Sequence, residues 1–305
     1  MKKILIVLNP SSGVGVPVKA IDEYCKRLRD KGYDVDLSFT KRGHHATEIV
    51  EAAANYDVVF SIGGDGTLNE VVNGNAKRKD KMTICPFPTG SCNDVASMLG
   101  FNKGLLENLD IAFNSEEKSI DIGTINDSCF TYVVGMGKFL NIPYETTKDK
   151  KSKLGYLAYI KEGIKEFFNK PKIYKAKVEV DGVKVDGEYS MVLISNSNHI
   201  AGLDGFQRDV KLDDEKFEIL LCSAKTSTGI LTNFIDFYLG GRPKDIISLK
   251  GNDINISFDD TLDKNWCIDG EELKDKSKSF HIKAKDKMKF LVSKEKVNKL
   301  FIKEI

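Results

Sequence analysis

The stretch "FSIGGDGTLNEVV", residues 60–72, decides how the first half of this chain is read. An apolar run ends at Gly63-Gly64, and Asp65, Gly66 and Thr67 lead into a segment that reads as the start of a helix. Taken alone, Gly-Gly-Asp-Gly is compatible with a plain tight turn. Between a strand and a helix it also makes an anion cradle, because glycine lets backbone approach a phosphate and helix N–H groups favour negative charge. Asp65 would repel that anion unless a cation lay between them, so a carboxylate here implies Mg²⁺, held directly or through water.

Outward from this stretch, "KILIVLN" (3–9), "DVVFSI" (57–62) and "MTICPF" (82–87) read as strands, and "YDVDLSF" (33–39) alternates as another. Helices fit between them. Pro17 suits a first turn, Ile21, Tyr24 and Leu28 share one face, and Gly32 ends that helix. "HHATEIVEAAANY" (44–56) is the second, and others begin near Thr67, Asn93 and Gly104. This βαβα rhythm predicts a parallel sheet covered on both faces, with strand-to-helix loops at its carboxyl edge, where ligands bind in such folds. After "SIDIGTIN" (119–126) the pattern changes. A helix at "LGYLAYIKEGIKEFF" (154–168) gives way to short alternating segments punctuated by Asp-Gly, which predict antiparallel sheet, with a further helix at "NFIDFYLGGRP" (233–243). The expected division is an α/β domain over 1–125 and a mostly β domain over 126–293, with 294–305 packing back on the first.

A chain of 305 residues accommodates two domains, and 41% hydrophobic content supports a buried core. The 46 basic and 45 acidic side chains leave a net charge of +1, which gives no support for nucleic-acid binding. Six scattered cysteines without a CxxC pair, and four histidines not spaced for zinc, fit a reducing cytosol. The N-terminal apolar run ends at Asn9-Pro10, too short for an export signal, and no run approaches the roughly 20 residues of a membrane span.

Two further elements fall at the same predicted edge. "NPSSG" (9–13) follows the first strand, and "PTGSCNDVA" (88–96) follows the fourth. Asp94 is either a helix-capping carboxylate or part of a metal network. Asp121, on the apolar strand "SIDIG", needs a partner if ionised. Shared binding of a nucleotide and Mg²⁺ accounts for all three loops together.

"NPSSG", "GGDGTLNEV" and "PTGSCNDVA", in this order and spacing, resemble the diacylglycerol kinase catalytic domain, a family that includes diacylglycerol, sphingosine and related bacterial lipid kinases. The resemblance implies a Rossmann-like α/β nucleotide-binding domain, as in NAD kinases and diacylglycerol kinases, and a C-terminal antiparallel β-sandwich for the lipid. It implies an ATP site at Asn9, Pro10, Ser11, Ser12, Gly13, Thr40, Gly64, Asp65, Gly66, Thr67, Leu68, Asn69, Glu70, Ser91, Asn93 and Asp94. Asp65, Asp94 and Asp121 would surround the catalytic Mg²⁺. In "NWCIDGEEL" (265–273), Asp269-Gly270 is a hairpin turn by its residues, and by the resemblance Asp269 is the general base with Glu271 in support. In "DVKLDDEKFEILL" (209–221), the resemblance implies a structural Mg²⁺ on the Lys211 and Lys216 carbonyls and the Asp214 side chain, with a solvated charged turn as the alternative. The family usually has glycine and an apolar residue where Glu215 and Lys216 stand. Val14 stands where a basic residue is common, leaving the positive charge to Lys19, and Cys92 replaces a small residue.

The implied activity is transfer of the ATP γ-phosphate to a lipid hydroxyl, first of all diacylglycerol, by a cytoplasmic protein that visits the membrane surface transiently and forms a dimer. The stretch "NFIDFYLGG" (233–241) is either the bilayer contact or buried core. NAD kinase, which shares the Gly-Gly-Asp-Gly loop, and a non-catalytic lipid-binding protein on a kinase fold are the alternatives.

Overall fold

The apolar run that opens the chain is strand β1, Lys3–Leu8, buried along almost its whole length. A computed structural model describes residues 2–13, 18–140, 168–260, 262 and 265–302. The expected helix at 154–168 falls almost wholly outside the described residues, as do Pro17, Val14 and the side chain of Lys19. The chain forms two compact units, Met1–Ile120 with Lys287–Ile305, and Asp121–Asp286.

In the first unit, β1, β2 (Asp34–Phe39), β3 (Val58–Gly63) and β4 (Thr83–Pro88) lie in the order β4-β3-β1-β2, all parallel. Helices α1 (Val18–Asp30), α2 (His45–Ala52), α3 (Asp65–Ala76), α4 (Asp94–Met98) and α5 (Leu105–Phe113) connect and follow these strands. The predicted apolar face of α1 is buried at Ile21, Tyr24 and Leu28, with Ile21 and Leu28 each worth about 1.5–3 kcal/mol of transfer free energy. Tyr24 meets Phe87 edge-on at 5.3 Å between ring centres. Helix α2 is shorter than its sequence pattern, because Ala53 turns extended and Asn55 adopts a left-handed conformation. Helix α3 ends on a buried clamp. The Asn75 side chain donates to the Met82 carbonyl at 2.8 Å and accepts from the Met82 N–H at 2.9 Å. Asn75→Ala is expected to cost about 1–3 kcal/mol, read from the urea midpoint, because both backbone groups are left unpaired.

The second unit begins within β5 (Glu116–Ile125) and continues through β6 (Ser128–Phe130), β7 (Val133–Gly137), β8 (Tyr174–Val180), β9 (Val183–Lys184), β10 (Gly187–Tyr189) and β11 (Met191–Ser195). After β12 (His199–Ile200), β13 (Leu203–Asp204) and β14 (Phe217–Cys222) come helix α6 (Ser227–Tyr238) and β15 (Ile246–Gly251). The remaining elements are β16 (Ile254–Phe258), β17 (Trp266–Ile268), β18 (Glu271–Leu273), β19 (Ser279–Val292) and helix α7 (Lys294–Leu300). One sheet runs β15-β14-β11-β7-β17-β18, all antiparallel, and β10, β8, β16 and the start of β19 pair antiparallel within the 11-stranded sheet that also holds β4-β3-β1-β2. Alternation explains the faces. In β8, Tyr174, Ala176, Val178 and Val180 point inward, and they share one core with Val192, Ile194, Ile219 and Leu221 of the first sheet. Trp266 is fully buried there, 5.1 Å from the Phe280 ring.

The expected boundaries shift. Residues 121–125 fall in the second unit and 287–293 in the first, because β19 runs on past its antiparallel partners and sets Phe290 against Ile84 of β4 in parallel. The ladder containing β19 is therefore mixed.

Candidate active site

In the first unit, the three predicted loops meet through glycines. A Cβ at Gly90 would lie 2.6 Å from Gly64 Cα, and one at Gly13, whose φ is +58°, would lie 1.8 Å from the Thr89 carbonyl oxygen. Side chains would thus fill the space between loops, so small residues are required for the approach itself. The loops are tied by polar contacts. Asn9 donates from Nδ2 to Thr67 Oγ1 at 2.9 Å, and its Oδ1 accepts the Ser11 N–H at 3.0 Å. Asp65 Oδ2 accepts the Asn93 N–H at 2.7 Å. Asn93, left-handed at φ 54°, closes its own turn on the Gly90 N–H and carbonyl at 2.9 and 2.8 Å. Ser12 and Asp94 are buried beside these contacts in sequence, and Ser91 is half-buried.

Helix α3 starts at Asp65, two residues before the sequence expectation, with Gly64 as an extended N-cap. Gly66, Thr67, Leu68 and Asn69 therefore lie in its first turns, at the helix end whose dipole favours negative charge. The Thr40 N–H is held by the Leu8 carbonyl at 2.9 Å. Glu70 braces that region: its carboxylate accepts the His44 and Ala46 N–H groups at 2.8 and 3.1 Å, holding the start of α2. Among the described residues, no three His, Cys, Asp or Glu side chains gather as a metal cluster. What the loops offer instead is a glycine cradle with the Asp65 carboxylate tied to it through the Asn93 N–H, which fits an ion such as Mg²⁺ that takes one or two carboxylates and completes its shell with phosphates and water.

Asp121 belongs to the second unit. Its Oδ2 accepts the Glu215 N–H at 2.6 Å and its own N–H donates to the Leu212 carbonyl at 2.7 Å.

Asp269 and Gly270, with φ of 47° and 86°, form the two-residue turn between β17 and β18, whose Ile268 and Glu271 are paired. Positive φ at both positions is the hairpin geometry that an Asp-Gly pair favours. The hairpin reading holds, and the carboxylate is also engaged by backbone. Asp269 is 2% exposed, and its carboxylate accepts three consecutive backbone N–H groups: Thr131 at 2.6 Å, Tyr132 at 3.0 Å and Val133 at 3.1 Å. Glu271 is exposed at the start of β18.

Sequence reasoning missed the polar shell nearby. Ser195, Asn196, Ser197, Asn198 and Gln207 are all buried. The Asn196 N–H donates to the Tyr132 carbonyl at 2.8 Å and its side-chain amide to the Asp121 carbonyl at 2.9 Å. The Asn196 and Asn198 Oδ1 atoms and Thr131 Oγ1 are buried without a hydrogen-bond partner among the described residues, a rare condition for a buried polar atom. The signal was "SNSN" running straight on from an apolar strand.

At residues 211–216, Asp214 Oδ1 accepts the Lys216 N–H at 3.1 Å and Oδ2 meets Lys250 Nζ at 2.8 Å. Lys250 also meets Glu218 Oε1 at 2.9 Å. Burial pushes the Glu218 carboxyl up to about 6, outweighing the hydrogen bond from Lys250. Lys250 is raised: burial lowers it, but its bonds to Asp214 and Glu218 prevail. A carboxyl with a raised folded value holds more protons folded than unfolded. The contribution of Glu218 is therefore fully present below about pH 4.5 and lost as pH rises through about 6. Relative to Glu218→Gln, the wild type is expected to lose about 2 kcal/mol over that window, measured by denaturant unfolding at several pH values.

In α6, Phe234 and Phe237 pack against the Phe206 ring at 5.9 and 6.1 Å, while Leu231, Ile235 and Leu239, just beyond the helix, stand 45%, 50% and 72% exposed. The stretch is thus half-buried on one side and exposed on the other, with none of residues 233–241 fully buried. No helix among the described residues is long and apolar enough to cross a membrane.

Residues 3–125 match the family model of the diacylglycerol kinase catalytic domain. A diacylglycerol kinase of Staphylococcus aureus (strain Newman) is 31% identical over 276 residues, covering 88% of this chain and 86% of the relative. One from Bacillus subtilis (strain 168) is 28% identical over 277 residues, 89% and 90% of the two chains. The crystal structure of a diacylglycerol kinase from Bacillus anthracis str. Sterne shares the fold, with a TM-score of 0.77 at 24% identity over 97% of this chain and 99% of that one. With such identity sustained over nearly nine-tenths of its length, the chain belongs to the diacylglycerol kinase catalytic-domain family.

Proposed function

We propose that the protein is an ATP- and Mg²⁺-dependent lipid kinase that phosphorylates the primary hydroxyl of diacylglycerol, giving phosphatidic acid. The observation that carries this reading is the glycine cradle of Gly13, Gly64 and Gly90, locked by Asn9–Thr67 and Asp65–Asn93. Its backbone N–H groups bind the ATP phosphates, and Thr40 and Ser91 contribute beside them. Asp65 and Asp94 would hold Mg²⁺, which when bound neutralises charge on the transferring group. The second unit presents the lipid. Asp269, its position fixed by three N–H donors, orients the acceptor hydroxyl and takes its proton as the hydroxyl oxygen bonds to the γ-phosphorus. The bond from that phosphorus to the β–γ bridging oxygen breaks, and ADP leaves. The orphaned Thr131 and Asn196 oxygens supply polar atoms for the glycerol end of the substrate. Glu271 supports the local negative charge. The exposed Leu231, Ile235 and Leu239 support transient contact with a bilayer.

Incubation with labelled ATP, Mg²⁺ and mixed-lipid vesicles is expected to yield organic-extractable phosphate with the mobility of phosphatidic acid. Label confined to a water-soluble product, or none on any lipid, would sink the assignment.

A further inference from the structure

The family resemblance implies a divalent cation at residues 211–216, with the Lys211 and Lys216 carbonyls and the Asp214 side chain as ligands. The donor set found there does not fit that ion. Both Asp214 oxygens are engaged, Oδ1 by the Lys216 N–H at 3.1 Å and Oδ2 by the Lys250 ammonium at 2.8 Å. A divalent ion on Oδ2 would stand beside an ammonium on the same oxygen, a like-charge contact in a partly buried place where screening is weak.

The strand register puts Lys250 there. In the β14–β15 ladder Glu218 and Lys250 are direct cross-strand partners, and Lys250 Nζ lies 2.9 Å from Glu218 Oε1. Glu218 is 6% exposed, so its charge needs a fixed counter-ion. From that anchor the ammonium reaches Asp214, four residues earlier in the chain, and joins the strand to the loop that precedes it. Opposite, Glu215 adopts the left-handed conformation, φ 59°, at the position where glycine is usual, and its N–H is taken by Asp121 Oδ2 at 2.6 Å. The loop keeps a tight turn with a side chain present and a cation supplied covalently.

We propose that Lys250 is the built-in cation of this loop: its ammonium, shared by Asp214 and Glu218, does the ordering that a bound divalent ion would do, and the loop is indifferent to metal. The proposal is independent of the phosphotransferase reading, and its test uses the full chain without nucleotide or lipid.

Thermal unfolding at pH 8 is compared in EDTA and in millimolar MgCl2 for wild type, Lys250→Met, Lys250→Arg and Asp214→Asn, alongside Mn²⁺ titrations followed by electron paramagnetic resonance. Wild type is expected to unfold at the same temperature in both buffers, and its Mn²⁺ uptake is expected to be unchanged by Asp214→Asn. Lys250→Met is expected to unfold roughly 4–8 °C lower in EDTA, in keeping with loss of the counter-ion of the buried Glu218 carboxylate. Millimolar Mg²⁺ is expected to restore part of that loss, and Lys250→Arg to behave as wild type. A wild-type divalent site that disappears in Asp214→Asn would overturn the proposal. So would a Lys250→Met protein of unchanged stability, or one that is destabilised and gains nothing from Mg²⁺, which would make Lys250 an ordinary ion-pair partner. Should Lys250→Met fail to fold, the wild-type and Asp214→Asn titrations decide the matter alone.

Discussion

Asp269→Asn is expected to lower kcat about 1,000-fold or more, while the KM for ATP stays within about threefold. The substitution removes the proton acceptor and also disturbs its mounting. Asp269 Oδ1 accepts two N–H groups and Oδ2 a third. An amide offers one oxygen and one NH2, so at least one of the Thr131, Tyr132 and Val133 donors would face another donor. That unpaired group costs about 1–3 kcal/mol and shows as a lower unfolding temperature. Nucleotide affinity, measured by calorimetry, separates the two effects, because the glycine cradle lies in the other unit and is untouched. An Asp269→Asn enzyme with near-normal turnover would remove Asp269 from the chemistry and leave it as a hairpin device. Glu271→Gln, at an exposed strand position, is expected to have a smaller effect than this.

Gly90→Ala is expected to weaken ATP binding by about 10- to 100-fold with the secondary structure intact. The added methyl would sit 2.6 Å from Gly64 Cα and 2.9 Å from Asn93 Oδ1, one of them backbone that cannot swing away. Overpacking of this kind costs about 1–3 kcal/mol, here set against the approach of the two loops proposed to bind the phosphates. The readout is the dissociation constant of Mg·ATP by calorimetry, with circular dichroism as the control for folding. An unchanged constant would mean that the loops do not grip the phosphates where the glycines meet.

Much of the first unit was legible because its signals are local. The runs at β1, β3 and β4 are apolar on both faces, and Ile21, Tyr24 and Leu28 recur at helical spacing, so period and length suffice. The glycine loops were legible because close backbone approach restricts side-chain size at fixed chain positions. What stayed hidden depends on contacts distant in sequence. Nothing local at Asp121 says that it binds Glu215, 94 positions along the chain. The Lys250–Glu218 pair is written in a cross-strand register that no window of sequence contains. Asp269 gave a turn and a carboxylate, but its three donors come from residues 131–133, more than 130 positions away. Helix ends were misjudged by a few residues where a single backbone choice, such as Gly64 or Ala53, sets the boundary.

The path of β19 has a consequence for biosynthesis. Phe290 completes its parallel pairing beside Ile84 only after a ribosome has travelled through residues 121–286. The intervening unit therefore emerges with every one of its strands at hand, while the first unit, started earlier, waits with the flank of β4 bare until residues 287–292 leave the exit tunnel. During elongation that flank is a sticky edge, and it is the surface that chaperones are expected to shield.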